Sequence, residues 1–234
     1  MPRVALTFDD GPGLVTAELL DVLRDAAWPA TFFVLGRNVE EAPWCGGDRA
    51  RAKALVKRAL GEGHVVAHHT YSHAKPDDYR HFATDFRRGE EAIRACRKDA
   101  GWDADAIAAP VAFRLPYGVR LVERTVRVDT GTLNVATLDP RLPVLASLGR
   151  THVHWTADFA DWAARPGDGA DLAQRMLAHV DENAALGLDA VICLHDGGTG
   201  SAHGYDRRAT LDAVRDFVHA ARRRGGEPFT VPVG

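Results

Sequence analysis

Only three of the 234 residues are cysteine, at positions 45, 96 and 193, and none belongs to a CxxC pair. So odd and scattered a set excludes a disulfide framework and the usual structural zinc motifs. No apolar run approaches the ~20 residues needed to cross a bilayer. No excess of one charge sign is present either: 29 Lys and Arg stand against 32 Asp and Glu, a net charge of −3. That balance argues against a nucleic-acid partner and against an anionic membrane surface. The one basic cluster, Arg222-Arg223-Arg224, closes an amphipathic stretch just before Gly225-Gly226, where cations complement a helix dipole. Repeats, low-complexity tracts and linker-like stretches are missing, so one unit over residues 1–234 is expected. Nor does an export signal precede the first apolar segment, since Met1-Pro2-Arg3 runs directly into Val4-Ala5-Leu6 and then Asp9-Asp10. The expectation is a cytoplasmic protein, or an exported one if a leader has been removed.

What is present is an alternation of two periods. Hydrophobic residues make up 46% and charged residues 26%, ordinary values for a chain long enough to bury a substantial core. Strand patterns occupy 3–8, 30–35, 64–67, 110–114, 151–156 and 189–194, and the terminal PFTVPV reads as a last strand. Helical patterns occupy 14–27, 48–61, 79–99, 169–186 and 206–224, with Asp48 as an N-cap and Gly61 as a stop for the second. Strands alternating with helices argue for a parallel sheet with helical crossovers. The polar clusters Asp9-Asp10, His68–His73, Arg114, Asp158–Asp161 and His195-Asp196 all fall at or just after the C-terminal ends of these strands. In a β/α barrel such ends converge on the face that carries the site. The expected fold is therefore α/β, a closed or nearly closed barrel first and an open doubly wound sheet second. Residues 119–146 break the rhythm and alternate like a hairpin, with Asp129-Thr130-Gly131 near its turn. We read the segment as an insertion on the barrel.

Five clusters carry chemistry. His69-Thr70-Tyr71-Ser72-His73 has HxxxH spacing, which on a helix sets two imidazoles about one turn apart, within reach of one ion. We read His69 and His73 as ligands, and His68 and His64 as packing or supporting residues. In Thr7-Phe8-Asp9-Asp10-Gly11-Pro12-Gly13, strand alternation points Val4, Leu6 and Phe8 toward the helices and Asp9 into the barrel mouth. The turn forced by Gly-Pro-Gly lets Asp10 point into the same site. Two buried carboxylates need a cation or an arginine to compensate them. Arg114, in Arg114-Leu115-Pro116-Tyr117-Gly118, is able to hold a carboxylate by two parallel hydrogen bonds and so orient Asp9 as a base. The tight loop after it has backbone N–H groups suited to an oxyanion. In Leu194-His195-Asp196, Cys193 and His195 share the inward face, while Ile192 and Leu194 take the other. A carboxylate from Asp158-Phe159-Ala160-Asp161-Trp162, for which Asp161 is the candidate, would hold the His195 tautomer and suit it to general-acid work. Cys193 reads as packing.

Together TFDDGP, HTYSH, RLPYG, DFADW and LHD, in that order over residues 7–196, resemble the motifs of the polysaccharide deacetylase family, also called carbohydrate esterase family 4, with its NodB-like domain. The resemblance implies a distorted, TIM-like (β/α) barrel with fewer than eight strands. It implies a divalent metal, zinc first with cobalt or nickel as substitutes, held by Asp10, His69 and His73. It further implies Asp9 as base, Arg114 as its orienter, the Tyr117 N–H as oxyanion donor, His195 as acid and Asp161 as its orienter. Trp162 and Leu194 would line the acetyl pocket. The reaction would be metal-dependent hydrolysis of an acetamide to amine and acetate. The substrate would be an N-acetyl amino sugar, an oligosaccharide or a small N-acetylated metabolite. The 119–146 segment and the missing leader favour these over a polymer such as peptidoglycan, chitin or xylan.

Three other readings compete: an O-acetyl esterase on an acetylated glycan, a related amidohydrolase acting on a non-sugar amide, and a non-catalytic glycan-binding protein. The amidohydrolases often depart from the acidic pair or the metal residues, and all of these remain here. A binding protein has no need of a base, an acid and three metal ligands.

Overall fold

The strand that opens the chain has Val, Leu and Phe on one face and Ala, Thr and Asp on the other, and this alternation organises everything around it. A computed structural model describes residues 3–128, 131–198 and 206–231. In chain order the elements are β1 (Arg3–Asp9), α1 (Thr16–Asp25), β2 (Thr31–Val34), α2 (Gly36–Glu40), α3 (Arg49–Gly61) and β3 (Val65–His68). Then come α4 (Phe82–Asp99), α5 (Ala104–Ala108), the strands β4 (Leu121–Val128) and β5 (Gly131–Leu138), and α6 (Arg141–Ser147). The chain ends through β6 (Ala157–Asp158), α7 (Gly169–Ala185), β7 (Ala190–His195), α8 (Arg208–Arg223) and β8 (Glu227–Pro228). No helix among the described residues is long and apolar enough to cross a membrane.

The main sheet is parallel, in the order β3-β2-β1-β7-β6, with β8 beside the start of β1. Val4, Leu6 and Phe8 pack with Phe32, Ile192 and Leu194 in the large core between sheet and helices, to which Leu19, Met176 and Phe217 of the helices contribute. On the inner face lies a smaller cluster of Ala5, Phe33, Ala67, Ala112 and Val231. Its three alanines leave room for the polar groups described below. Register then matters: Asp9 is level with Phe33 on one side and with His195 on the other.

The sheet closes into a distorted barrel through irregular chain rather than through the two strands expected at 110–114 and 151–156. Residue 113 makes only an isolated parallel bridge to His68. The Val153 N–H donates to Phe113 O (2.8 Å), and the Thr156 N–H to Val191 O (2.8 Å), before β6 joins β7. Side chains replace the missing ladder: Arg114 donates to Val153 O and His154 O, and His152 Nδ1 accepts from the Leu115 N–H. Backbone groups satisfied in this way need no regular strand partner.

Smaller departures have local causes. Asp48 caps α3 by accepting from the Arg51 N–H, and the helix ends at Gly61 as expected, the chain then reversing through Gly63 (φ 84°). The helix expected over 79–99 begins with a 3-10 turn at Tyr79–His81. The five-residue helices α2 and α5 are too short to show a period. The segment 119–146 does hold an antiparallel hairpin, Leu121 pairing with Leu138 and Val128 with Gly131. Of its expected turn, Asp129 and Thr130 lie outside the described residues. The segment then continues as α6, whose Leu145 packs against Phe82, Phe86, Phe113 and Leu115.

Candidate active site

At the C-terminal end of β1, two adjacent carboxylates converge. On a regular strand Asp9 and Asp10 would point to opposite faces. Asp10 instead has φ 68°, a left-handed conformation that Asp tolerates better than most residues. Its N–H donates to Phe33 O (3.2 Å), and the Asn38 amide donates to its carbonyl (2.7 Å). The following turn packs against Asp196, since a Cβ on Gly11 would come within 2.4 Å of Asp196 Oδ1 and one on Gly13 within 2.2 Å of Asp196 O.

The two histidines meet Asp10 by a different route from the one their spacing suggests. No helix runs through 69–78. Left-handed residues at Thr70 (φ 69°) and His73 (φ 64°) fold the chain back instead. The His73 N–H donates to Thr70 Oγ1 (3.1 Å), and the Ser72 N–H to the Asp85 carboxylate. Helix α4 presses close at Gly89, where a Cβ would lie 2.5 Å from the Thr70 carbonyl carbon. The result is an imidazole pair with centroids 5.1 Å apart. His69 Nε2 lies 3.7 Å and His73 Nε2 3.4 Å from Asp10 Oδ1.

These three groups fit a divalent cation. Asp10 Oδ1 is buried and has no hydrogen-bond partner, a state that ordinarily requires a partner of another kind. The Arg114 carbonyl can only accept, so His69 donates to it from Nδ1 (2.8 Å) and keeps a lone pair on Nε2. Burial, reinforced by His73 and Arg114, holds the His69 imidazole well below its ordinary range. Burial also lowers His73, against the pull of Asp10 and Asp9. Both shifts favour the neutral imidazoles that metal ligation requires.

Arg114 lies on one flank, fully buried. The two-bond grip expected on Asp9 is a single bond, Nη1 to Oδ1 at 2.9 Å, because the same nitrogen also serves Thr7 Oγ1 (2.7 Å) and the rest of the guanidinium bonds backbone carbonyls. The guanidinium sits 4.1 Å above the Phe33 ring. Asp9 Oδ2 is left facing His69 Nε2 at 3.7 Å, with the Cys193 thiol donating to it from 3.6 Å. Burial raises the Asp9 carboxyl, opposed by Arg114 and His195 and reinforced by Asp10. Burial drives the Cys193 thiol well above its ordinary value, so it stays protonated and is no nucleophile.

On the other flank stands His195. Asp161 accepts from its Nδ1 (2.7 Å) and from its backbone N–H (2.8 Å), and Thr210 Oγ1 donates to the same carboxylate (2.7 Å). Burial works against the imidazolium, but Asp161, with Asp10 and Asp9, raises His195 to about 9. Burial likewise pushes Asp161 up, and its bonds to His195 and Thr210 more than offset this, leaving it below the usual carboxylate range. Asp158 accepts from the Ala160 N–H, and Ala160 (φ 52°) turns the chain so that Asp161 faces inward.

Tyr117 borders the mouth, its ring edge against His73 at 4.6 Å, and at φ 63° it is left-handed. No described group accepts from its N–H. Trp162 is 54% exposed beside Asp161. Leu194 is a correction. It is fully buried in the sheet–helix core with Leu6 and Phe8, on the face of β7 opposite His195, and does not line the mouth. His68, expected to be a packing residue, sits between Phe86 and Phe113 with ring centroids 4.5 and 4.7 Å away. Sequence reasoning gave no role to Thr7, although it opens TFDDGP, and passed over Asn38, Thr210 and the Asp139–Arg141 pair, which sit in no motif-like spacing and are revealed only by tertiary contact.

Three comparisons bear on this arrangement. The family model described as polysaccharide deacetylase matches residues 1–135. A chitooligosaccharide deacetylase of Bradyrhizobium sp. is 34% identical over 98% of this chain and 89% of its own length. A peptidoglycan-N-acetylglucosamine deacetylase of Bacillus cereus is 28% identical over 97% of this chain and 85% of its own. Among solved structures, a peptidoglycan N-acetylglucosamine deacetylase bound to an N-hydroxybenzamide superposes with a TM-score of 0.60 at 29% identity, covering 98% of this chain and 86% of the other. A family 4 carbohydrate esterase from Streptomyces lividans in complex with acetate gives 0.63 at 25% identity, covering 99% and 93%.

Proposed function

The chain belongs to the polysaccharide deacetylase family, and on that premise we propose that it is a metal-dependent deacetylase converting N-acetylglucosamine units of an oligosaccharide to free amine and acetate. The observation that carries the proposal is the convergence of Asp10 Oδ1, His69 Nε2 and His73 Nε2 between two differently tuned flanks, the Asp9–Arg114 pair and the His195–Asp161 pair.

Asp10, His69 and His73 would hold the ion, and two imidazoles with one carboxylate suit zinc. When bound, such an ion supplies polarisation of the acetyl carbonyl and acidifies water. Asp9 takes the proton of the attacking water on Oδ2, the oxygen that Arg114 does not hold. The Tyr117 N–H donates to the acetyl oxygen as that oxygen gains negative charge. His195 is protonated near neutrality and passes its Nε2 proton to the leaving amine, while Asp161, itself held by the Thr210 hydroxyl, keeps Nδ1 occupied. Acid and base assistance of this kind is worth about 10²–10⁴-fold.

The oligosaccharide class draws support from the Bradyrhizobium relative and from the hairpin joined to the Tyr117 loop. Zinc-loaded protein, incubated with N-acetylglucosamine and its oligomers, peptidoglycan fragments and acetylxylan, tests the proposal. Equimolar acetate and new primary amine from the oligomers support it. Acetate from acetylxylan alone would move the activity to ester cleavage.

A further inference from the structure

Asp139 and Arg141 take no part in the chemistry above, yet both are sealed from solvent. They form a side-on pair, Arg141 Nε to Asp139 Oδ1 at 2.9 Å and Nη2 to Oδ2 at 2.7 Å. The same carboxylate accepts from the N–H groups of Arg141 (3.0 Å) and Arg120 (3.3 Å). A guanidinium has five N–H donors. The three that Asp139 leaves all reach backbone carbonyls: Nη1 to Pro116 O (2.8 Å) and Ala74 O (3.4 Å), and Nη2 to Gly118 O (2.9 Å).

The destinations carry the inference. Pro116 and Gly118 flank Tyr117, and Ala74 directly follows His73. A cap for α6 needs only the Asp139 carboxylate and the Arg141 N–H, and an anchor for the hairpin only the Arg120 contact. Neither accounts for a buried cation that spends three donors on the loops either side of the mouth. We infer that Arg141 is a positioning residue. It locks Pro116-Tyr117-Gly118 in the left-handed turn that aims the Tyr117 N–H at the acyl oxygen, and fixes that turn relative to His73. Asp139 holds the guanidinium in place. The catalytic half of this inference rests on the deacetylase reading, whereas the conformational half does not.

Arg141→Lys, Arg141→Met and Asp139→Asn, each in the whole chain, provide the test. Amide hydrogen exchange of the metal-free protein is read over residues 114–120, with α1 and α8 as internal references. Exchange there should quicken about tenfold or more in Arg141→Lys while the reference helices stay unchanged. In the zinc-loaded protein, kcat per bound zinc on N-acetylglucosamine oligomers should fall about 10²-fold in Arg141→Met. KM should stay within about threefold of native, and Arg141→Lys should recover part of the lost rate. If Arg141→Met does not fold, Arg141→Lys and Asp139→Asn carry both readouts. Unchanged exchange at 114–120 in a folded variant overturns the inference, as does a kcat per zinc within about twofold of native. A native chain releasing no acetate while its variants still exchange faster overturns the deacetylase reading and leaves the locked turn standing.

Discussion

Replacing Asp161 by Asn takes a single negative charge from beside His195 and leaves the side chain's outline almost intact. In the native protein that carboxylate is what carries His195 to about 9 in spite of burial. The interval from the ordinary 6.5 to about 9 corresponds to about 3 kcal/mol favouring the imidazolium. With Asn, burial is opposed only by Asp9 and Asp10, and the imidazole returns to its ordinary range or below. At pH 7 a group titrating near 9 is about 99% protonated, and one near 6.5 about a quarter. The general acid is then mostly lost and its tautomer no longer fixed, so kcat should fall by about 10²–10⁴-fold. NMR titration of the His195 Cε1–H in metal-free protein measures the shift directly, and the alkaline limb of the zinc-loaded kcat profile should move the same way. The stability sign follows. Because the folded value lies above the unfolded one, the contribution is complete below about 6.5 and is lost as pH rises through about 9. The stability gap between native and Asp161→Asn should therefore narrow by about 3 kcal/mol over that window. Coincident His195 midpoints in the two proteins would refute the reasoning.

Other substitutions separate the remaining roles. Asp9→Asn should retain the ion and lose turnover, whereas His69→Ala should lose both; elemental analysis beside acetate assays reads the difference, and an emptied site in Asp9→Asn would exchange the roles of Asp9 and Asp10. Burial pushes the Asp196 carboxyl up to about 7, so in metal-free protein its contribution is complete below the unfolded 3.8 and is lost, by about 4 kcal/mol, as pH rises through 7. Asp196→Asn keeps an acceptor for Thr16 and should flatten the Tm profile between pH 5 and 8, and an unchanged slope would refute this. Shortening the hairpin around Asp129–Leu133 should shift chain-length preference among oligomers, and unchanged kcat/KM values in a folded variant would make it scaffold only.

Much of this architecture was readable because it depends on short-range patterns. The alternation of Val4, Leu6 and Phe8 with Ala5, Thr7 and Asp9 located the two faces of β1, and Asp48 marked the start of α3. Alternation also placed Leu194 away from the mouth, where the structure has it, while family resemblance had assigned it to the pocket. What stayed hidden depends on tertiary contact. The left-handed residues Asp10, Thr70 and His73 are held by Phe33, Asn38, Asp85 and α4, none of which spacing reveals. The 110–114 and 151–156 patterns satisfied the strand rule, but His152 and Arg114 took over the backbone bonds a ladder would have used. Thr210 and Arg141 act across 49 and 25 residues of chain, with no periodic signature to announce them.

The most direct single measurement is acetate release from an N-acetylglucosamine oligomer during titration of the metal-free chain with zinc. Activity should rise from nothing and break at one equivalent, the stoichiometry of one Asp10–His69–His73 site. Full activity before any zinc is added, in protein shown to be free of metal, would contradict a metal-dependent deacetylase at this site.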